Sequence, residues 1–271
     1  MKDASPTEMM TIAAARMLAG DDVCFVGIGP PSAACNVARL THAPDITLIY
    51  ESGTIATRPD VLPLSIGDGD LHDTALATVC VPEMFRYWLQ GGRITVGFLG
   101  AAQIDERANI NTTVIGDYRS PKVRLPGGGG APEIATSARE IFVTAKQSAR
   151  TFVRELDFRT SLGHGAPGET RADHGVATLG PTVLVTDLAV WHVLDAAGRG
   201  PKDEGFDGRS CALTVVSLHP GTTRERMAET VGWDARYAED VRETPPATAE
   251  ELTVLRDLHA RTKRAHQGEN A

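Results

Sequence analysis

The chain has 271 residues, of which 42% are hydrophobic and only 5% aromatic, so it can bury a sizeable and largely aliphatic core. Its 27 Lys and Arg residues against 35 Asp and Glu residues give a formal net charge of −8, which argues against nucleic acid and membrane surfaces as partners. Four cysteines without CxxC spacing predict neither a metal site nor a disulfide framework, and the lack of a leader pattern or long apolar run favours a cytoplasmic protein.

The first hundred residues predict alternating helices and strands. A cap at Ser5 begins a helix that Gly20 ends, and residues 53–74 read as a loop rich in Pro, Gly and Asp. Buried strands are predicted at residues 22–26, 46–50 and 93–99, and helices at 32–40 and 82–91. A strand, a helix and a strand with short connections form a βαβ unit, which predicts a parallel pair of strands.

The rest of the chain continues the α/β pattern. Strands are predicted at residues 140–144, 152–158, 182–186, 190–194 and 212–218, and helices at 222–231 and 248–265. Residues 161–180 form a polar, Gly-rich stretch without a core pattern. No repeat or long linker divides the chain, so we expect one domain over residues 1–271: an α/β fold with an open, mostly parallel sheet and helices on both faces.

A carboxylate follows the strand at residues 46–50. This strand (ITLIY) runs directly into Glu51, and the Ser52–Gly53 pair then breaks it, because glycine tolerates the backbone angles of a sharp turn. Open α/β sheets place their sites at the carboxyl ends of strands, so Glu51 is a candidate functional residue. The alternative is that Glu51 is a solvated turn residue.

Two glycine-rich stretches could approach a ligand. The first, GIGPP at residues 27–31, lacks the third glycine of a GxGxxG pattern, which argues against a dinucleotide site. The second places four glycines, residues 127–130, before a predicted helix that begins near Ala131. Unshielded backbone N–H groups beside a helix N-terminus suit an oxyanion or a phosphate. The alternative is a flexible surface loop.

A polar cluster at Asn109, Asn111, Thr112 and Thr113 could orient a substrate carbonyl, but capping of turns is the favoured interpretation. The eight histidines show no HxxxH or HxH spacing, and we expect those at 164 and 174 to be solvated. A serine triad is unsupported because the chain has no GxSxG motif.

Several motifs in a fixed order carry a family resemblance, which covers the chain from about Thr7 to Asp257. The motifs are APD-(x)5-ESG, GAAQID, NINTT-VIGDY, PKVR, GGGGAPEIAT and GPTVLVTD. With these motifs the chain resembles the B (beta) subunits of class I CoA-transferases, and especially the glutaconate CoA-transferase type. One departure is Ala108, where the related pattern usually has a glycine before the first Asn; we expect this change to adjust a turn.

The resemblance implies a mechanism and a set of site residues. Glu51 would be the nucleophile that becomes a glutamyl-CoA thioester, while the stretch Gly128, Gly129, Gly130 and Ala131 would serve the oxyanion and CoA. The remaining residues expected to orient the substrate are Ser52, Gly53, Gln103, Asn109 and Asn111. No metal and no permanently bound cofactor is expected, since a CoA thioester is itself the substrate.

The resemblance also implies a partner. Family enzymes combine two homologous subunits, so we expect an A-type (alpha) subunit and an α2β2 or similar assembly that acts on an acyl-CoA and a carboxylic acid. One alternative is a hydrolase of CoA thioesters or CoA-linked ring fragments, or a decarboxylase, on the same scaffold; relatives of that kind replace the glutamate, and Glu51 is retained here. Another is a ligand-sensing domain, which the lack of a helix-turn-helix segment and of a basic face argues against.

Overall fold

A computed structural model describes residues 3–268 of the chain, which form two compact units. The first unit contains residues 3–98 and 246–268, and the second contains residues 99–245. One domain over residues 1–271 stays a prediction.

The helices are α1 (Pro6–Ala15), α2 (Pro30–Leu40), α3 (Gly69–Asp73), α4 (Val81–Glu83), α5 (Ala131–Ser137), α6 (Arg224–Thr230) and α7 (Ala249–Gly268), with a π-helix at Met84–Leu89 and a 3-10 helix at Arg171–His174. The strands are β1 (Val23–Phe25), β2 (Thr47–Ile49), β3 (Thr54–Ile55), β4 (Ala77–Thr78), β5 (Val96–Gly100), β6 (Gln103–Ile104), β7 (Ile110–Asn111), β8 (Val114–Ile115), β9 (Val123–Arg124), β10 (Glu140–Ala145), β11 (Gly180–Thr186), β12 (Ala189–Leu194), β13 (Ala212–Leu218) and β14 (Arg236–Glu243).

The sheet of the first unit has the strand order β5-β1-β2-β3-β4. Strand β1 pairs in parallel with both β2 and β5, and α2 connects β1 to β2, so the predicted βαβ unit is confirmed. Strands β3 and β4 add an antiparallel extension beyond β2. The sequence missed this extension, because β3 and β4 have only two residues each, too few to show a period.

Helices α1 and α7 frame the first unit. Helix α1 begins with the predicted cap: the Ser5 side chain accepts from the N–H of Glu8, whose carboxylate accepts from the N–H of Ser5. Helix α7 is joined to this segment by two ion pairs of 2.7 Å, between Arg256 and Glu8 and between Glu251 and Arg16. The two ends of the unit are therefore tied by partly buried charges as well as by packing.

The predicted helix at residues 82–91 departs from α-geometry. Only α4 is α-helical, and the π-helix that follows has bonds from the N–H of Gln90 to the carbonyl of Phe85 and from Arg93 to Trp88. These i→i+5 bonds are the signature of π-helical winding. Met84 and Leu89, five residues apart, are both fully buried.

The sheet of the second unit has the order β14-β13-β12-β11-β10. Pairs β10–β11 and β13–β14 are parallel, and β12 is antiparallel to both of its neighbours. The sequence missed β14, whose RYAEDVRE sequence is too polar to suggest a buried strand. The strand predicted at residues 152–158 is wrong: only Phe152 forms a bridge, to Ile104, and its ring instead stacks on Trp233 with centroids 5.8 Å apart.

Candidate active site

Glu51 lies in the tight turn that joins β2 to β3 in the first unit. The N–H of Gly53 donates to the carbonyl of Tyr50 at 2.9 Å, and the N–H of Tyr50 donates to the carbonyl of Thr54 at 3.1 Å. The Glu51 side chain is half-buried and makes no hydrogen bond or ion pair to another described residue. The predicted position of Glu51, at the carboxyl end of a strand, is confirmed, and its carboxylate is available to a ligand.

Gly53 makes this turn possible for two reasons. Its φ of +104° is a conformation that L side chains rarely adopt, and a Cβ built on it would lie 1.9 Å from the carbonyl oxygen of Val79. The N–H of Val79 in turn donates to the carbonyl of Gly53 at 2.9 Å. The residue is therefore fixed by the neighbouring chain, and any side chain here would push the two backbones apart.

A series of largely buried side-chain hydrogen bonds connects the residue before Glu51 to helix α2. The Tyr50 hydroxyl lies 2.7 Å from the Ser32 Oγ, and Asn36 donates its Nδ2 to the Ser32 carbonyl at 2.9 Å. Arg39 donates to the Asn36 Oδ1 at 3.0 Å. Burial raises the pKa of Tyr50, so its hydroxyl keeps its proton at neutral pH and holds the residue before Glu51 in place.

Two hydroxyl groups next to Glu51 are buried without a partner among the described residues: the Ser52 Oγ and the Thr54 Oγ1. A buried hydroxyl that makes no hydrogen bond costs about 1–3 kcal/mol. The two groups flank Gly53, and both are shielded from solvent in the structure. Ser52 was expected at the site, whereas Thr54 could not be singled out from its neighbours in the sequence.

The glycine-rich stretch at residues 127–130 lies in the second unit and leads into α5. Gly127 and Gly129 have φ values of +99° and +49°, and a Cβ on either would meet no atom within 4 Å. The N–H groups of Gly128, Gly129 and Gly130 make no hydrogen bond within the described part of the chain. The N–H of Ala131 is occupied, because it donates to the Gly128 carbonyl at 2.9 Å. Of the four positions expected here, three have a free donor.

The flanks of this stretch are anchored. The N–H of Gly127 donates to the Thr112 carbonyl at 2.9 Å, and the Thr112 Oγ1 donates back to the Gly127 carbonyl at 2.8 Å. A Cβ on Gly128 would meet Pro132 and Thr160 at 3.2–3.3 Å, so this glycine packs closely against side chains. The stretch is therefore a shaped turn with an open outer side, rather than the flexible loop of the alternative interpretation.

The side-chain amides of Asn109 and Asn111 are buried, and they are hydrogen-bonded to other groups of the second unit. The Asn111 Nδ2 donates to the Gln103 Oε1 and to the Val114 carbonyl, both at 2.7 Å. The Asn109 Nδ2 donates to Asp105 and to the Gly165 carbonyl, both at 2.9 Å. Neither amide has a donor hydrogen left for a substrate, so the turn-capping interpretation is favoured over a substrate-orienting role for these two residues.

Gln103 belongs to the same network. Its Nε2 donates to the Asp157 Oδ2 at 2.6 Å, and its Oε1 accepts from Asn111. One of its two amide hydrogens is not used in this way, and the side chain is 6% exposed. A contact between Gln103 and a substrate therefore stays a prediction. Burial raises the pKa of the neighbouring Asp105 carboxyl, which three hydrogen bonds from Arg107 and Asn109 hold in place.

Ala108 stands where the related pattern usually has a glycine, and its backbone conformation shows why. Its φ is +57°, in the left-handed region, and it is fully buried. The chain at Gly163 packs directly against this turn, because a Cβ on Gly163 would lie 2.3 Å from the Ala108 carbonyl carbon. A glycine would adopt this conformation without strain, and alanine is the smallest side chain that can replace it.

Sequence reasoning missed two buried arginines that organise the polar stretch at residues 161–180. Arg107 donates through its Nη2 to the carbonyls of His164, Glu169 and Gly208 at 2.7–2.8 Å. Arg171 donates to the carbonyls of Gly163 and Ala135 at 2.7 Å, and the second of these belongs to α5. Burial lowers the pKa of Arg171 to about 10, so it remains charged at neutral pH. Arginines that bind mainly main-chain carbonyls leave no partner pattern in the sequence, because every residue carries a carbonyl group.

The expectation that His164 is solvated is wrong. The side chain is 2% exposed, and its Nε2 lies 2.8 Å from the Pro181 carbonyl. Burial lowers the pKa of His164 to about 4, because the charged imidazolium would be desolvated beside two arginines. His174 is exposed, as expected, and lies 2.9 Å from the Glu169 carboxylate.

Within residues 3–268, no group of three or more His, Cys, Asp or Glu side chains is arranged to hold a metal ion. In the same range, no helix is both long and apolar enough to span a membrane.

Comparison with known proteins identifies the family. The model of the coenzyme A transferase family matches residues 7–212. The chain is 56% identical to the B (beta) subunit of the 3-oxoadipate CoA-transferase of Pseudomonas knackmussii, over 97% of this chain and 96% of that protein. It is 30% identical to the corresponding subunit of the glutaconate CoA-transferase of Acidaminococcus fermentans, over 89% of this chain and 88% of that protein.

The fold agrees with these similarities. The crystal structure of the glutaconate coenzyme A-transferase of Acidaminococcus fermentans superposes with a TM-score of 0.81 at 27% identity, covering 94% of both chains. The predicted α/β class, with an open and mostly parallel sheet and helices on both faces, is confirmed. So is the resemblance found in the sequence motifs: the chain belongs to the coenzyme A transferase family, and the enzyme class is CoA-transferase.

Proposed function

We propose that this CoA-transferase chain is the beta subunit of an enzyme that moves CoA between an acyl-CoA and 3-oxoadipate, with Glu51 as the nucleophile. The substrate is inferred from the 56% identity to the 3-oxoadipate CoA-transferase subunit over almost the whole chain. The observation that carries the mechanism is the half-buried Glu51 carboxylate, which has no partner among the described residues and follows strand β2.

The reaction consists of balanced acyl transfers. A Glu51 oxygen attacks the thioester carbonyl carbon of the acyl-CoA, the carbon–sulfur bond breaks, and CoA leaves as a thiolate from a mixed anhydride. The thiolate then attacks the Glu51 carbonyl carbon, and the donor acid leaves as a carboxylate. The acceptor carboxylate repeats both steps in reverse on the resulting glutamyl-CoA thioester. Covalent catalysis replaces one difficult exchange by several easier ones.

Each tetrahedral intermediate carries an oxyanion that needs hydrogen-bond donors. The free N–H groups of Gly128, Gly129 and Gly130 are suited to this role, because backbone donors fixed by a shaped turn need little reorganisation when charge develops. The Ser52 hydroxyl group, next to Glu51 and unpaired within the described residues, is assigned a role in orienting the substrate. Removing one oxyanion donor in an enzyme typically costs about 10²–10³ in rate.

The beta subunit requires an A-type (alpha) subunit, and we assign the complete enzyme as α2β2. Both CoA-transferase relatives, from Pseudomonas knackmussii and Acidaminococcus fermentans, are themselves named as one subunit of their enzymes. The chain purified alone should therefore lack turnover, and mixing it with an A-type subunit should restore it. Full transferase activity from a homogeneous preparation of this chain alone contradicts the assignment.

The nucleophile is tested by trapping the covalent intermediate. The complete enzyme is incubated with 3-oxoadipyl-CoA and then reduced with borohydride, which should convert a glutamyl thioester at Glu51 into an alcohol detectable by peptide mass spectrometry. Glu51→Gln should abolish this product while retaining CoA binding. Glu51→Asp should also lose activity, because it withdraws the carboxylate by one methylene and a misplacement of ~1 Å can cost about 10²-fold.

The same assay decides between transfer and hydrolysis. With 3-oxoadipyl-CoA as donor, the release of free CoA is compared with the formation of acetyl-CoA, succinyl-CoA and glutaconyl-CoA from the respective added acids. Transfer predicts that product formation requires an acceptor acid. Release of CoA at the same rate without an acceptor identifies a hydrolase, and undiminished transfer by Glu51→Gln overturns the nucleophile assignment.

A further inference from the structure

The hairpin of β8 and β9, residues 114–124, carries a basic cluster in an otherwise acidic chain. We call this segment the basic hairpin. It contains three exposed cations, Arg119, Lys122 and Arg124, although the chain as a whole has a net charge of −8. Arg124 lies in β9, and Lys122 lies in the bend that directly precedes this strand. The PKVR motif that includes them has no role in the function proposed above.

These cations are not neutralised by carboxylates. Among the described residues, none of the three side chains lies within ion-pair distance of an Asp or Glu. The acid in the same hairpin, Asp117, is engaged with the backbone, because its Oδ1 accepts from the N–H groups of Arg119 and Ser120 at 2.8 and 3.0 Å. The hairpin therefore presents excess positive charge to solvent.

Contacts within and next to the hairpin position the side chains of Lys122 and Arg124. The N–H of Lys122 donates to the Ile115 carbonyl at 2.9 Å, and its aliphatic stem lies against Gly116. Arg124 donates to the Tyr118 carbonyl at 3.0 Å, with its guanidinium carbon 5.0 Å from the centre of the Tyr118 ring. Tyr118 itself stacks on Phe158 with centroids 5.3 Å apart. Ordered cations lose less side-chain entropy when they bind an anion.

The hairpin is continuous with the glycine-rich stretch. Only Leu125 and Pro126 separate Arg124 from Gly127, and the N–H of Leu125 donates to the Thr113 carbonyl at 3.0 Å. Four residues of extended chain span at most about 14 Å, which limits the distance from Arg124 to Gly128. In CoA the pantetheine arm separates the thioester from the phosphates, so the phosphates must bind away from the oxyanion donors but within reach of the same ligand.

We infer that the basic hairpin binds the phosphate groups of the CoA nucleotide, with Lys122 and Arg124 as the principal contacts and Arg119 as a further one. This inference rests on the proposed function, because it assigns a ligand to the donors at Gly128–130. It gives the PKVR motif a role in recognising CoA, as distinct from the acyl group. An arginine and a lysine suit phosphate oxygens by charge and hydrogen-bond geometry.

The test compares ligands that differ only in their phosphates. Binding of CoA, 3′-dephospho-CoA and pantetheine is measured by calorimetry on the complete enzyme carrying Glu51→Gln, so that no covalent step contributes. Lys122→Ala and Arg124→Ala should each weaken CoA by about 10-fold, as expected for an exposed, charge-assisted contact. Neither should change the affinity for pantetheine. A smaller effect on 3′-dephospho-CoA identifies the 3′-phosphate as the partner of that side chain.

Controls keep the inference open to refutation. Arg226→Ala, which removes an exposed cation of α6 in the same unit, should leave all three affinities unchanged. Arg119→Ala, at the exposed tip of the hairpin, provides a variant with little structural risk. Equal weakening of CoA and pantetheine, or unchanged CoA affinity in every hairpin variant, overturns the inference. Loss of assembly with the A-type partner at unchanged CoA affinity also overturns it, and assigns the cations to a protein interface.

Failure of the proposed function remains distinguishable. If Glu51→Gln transfers CoA at the full rate, the nucleophile assignment is wrong, yet the comparison of CoA with pantetheine still reports on the basic hairpin. Conversely, a trapped glutamyl thioester together with hairpin variants that bind CoA normally supports the nucleophile and removes the phosphate site.

Discussion

The turn around Glu51 and the glycine-rich stretch at residues 127–130 both depend on glycine, but for different physical reasons. At Gly53 a side chain is excluded by the neighbouring backbone, since a Cβ would lie 1.9 Å from the Val79 carbonyl oxygen. At Gly127 and Gly129 a Cβ would meet nothing within 4 Å, and only the positive φ disfavours a side chain. One turn is closed by packing, and the other is open on the side where a ligand can approach.

This difference separates two functions of glycine at a candidate site. A glycine packed against backbone fixes where a neighbouring side chain points, and here that side chain is the Glu51 carboxylate. A glycine in open space leaves N–H groups unshielded, and here those groups make no hydrogen bond within the described residues. We therefore expect substitutions in the first turn to damage the fold and substitutions in the second to damage chemistry.

The largest effect is expected for Gly53→Ala. The new methyl group would overlap the Val79 carbonyl, and the alanine would also need a φ near +104°. Because backbone rather than a flexible side chain must move, the free energy of unfolding should fall by more than about 4 kcal/mol. Chemical denaturation of the purified variant, or its loss from the soluble fraction, measures this.

Gly69→Ala is the matched control in the same unit. Gly69 begins α3, has no positive φ, and a Cβ there would meet nothing within 4 Å. Its stability should be unchanged or slightly higher, because alanine restricts the unfolded chain more than glycine does. Equal losses for Gly53→Ala and Gly69→Ala mean that the closeness of Val79 does not decide the requirement at Gly53.

As the pH falls, the region around His164, which holds the glycine-rich stretch and α5, should lose stability before the carboxylate ion pairs do. Helix α5 is bound through Arg171 to Gly163, which precedes the buried His164. The pKa of His164 is about 4 in the folded protein against an ordinary value of 6.5, so the unfolded chain binds a proton first. The contribution of the neutral His164 to the free energy of unfolding is therefore full above about pH 6.5. It falls as the pH drops towards 4, by at most about 3 kcal/mol.

His164→Gln tests this without removing the hydrogen bond, since its amide can still donate to the Pro181 carbonyl. Denaturation curves collected between about pH 7 and 4.5 should be flatter for the variant than for the wild type. The measurements stop at about pH 4.5 so that the Glu8 carboxyl does not contribute to the slope. Arg256 lowers the pKa of Glu8 to about 2, and its contribution to stability is lost only below this range. Parallel curves for the two proteins would show that His164 does not titrate on unfolding.

Gly129→Ala should separate stability from activity. Its φ of +49° costs a non-glycine residue about 1–2 kcal/mol, and the open space predicts no further loss. The methyl group crowds the free N–H groups, so kcat should fall on the order of 10-fold, less than the roughly 10²–10³ expected for removing a donor outright. Gly168→Ala also places alanine at a positive φ, of +84°, with nothing within 4 Å of the new methyl group, and should lose stability alone. A similar loss of kcat in both variants contradicts an oxyanion role for this stretch.

The sequence predicted those features that depend on local patterns. The buried run before Glu51 and the break at Gly53 identified a strand and its turn, and the Ser5 cap identified a helix start. The sequence could not predict features that depend on distant chain. Arg171 binds main-chain carbonyls, which every residue has, and β14 is polar because both its faces are largely exposed.

The smallest effect is expected at Ala108, where the family resemblance predicts a glycine. Replacing Ala108 by Gly removes the strain of a left-handed alanine, about 1–2 kcal/mol, but loses a buried methyl worth about 0.8 kcal/mol and adds about 0.5–1 kcal/mol of backbone entropy cost. These terms nearly cancel, so the free energy of unfolding should change by less than about 1 kcal/mol. A stabilisation well above that value would mean that the turn before Asn109 is more strained than these terms allow. A clear loss would mean that the methyl group packs tightly beside Gly163. A change near zero would make Ala108 intermediate in kind between the two glycines: like Gly129 it has a positive φ, but unlike Gly53 it has room for one methyl group.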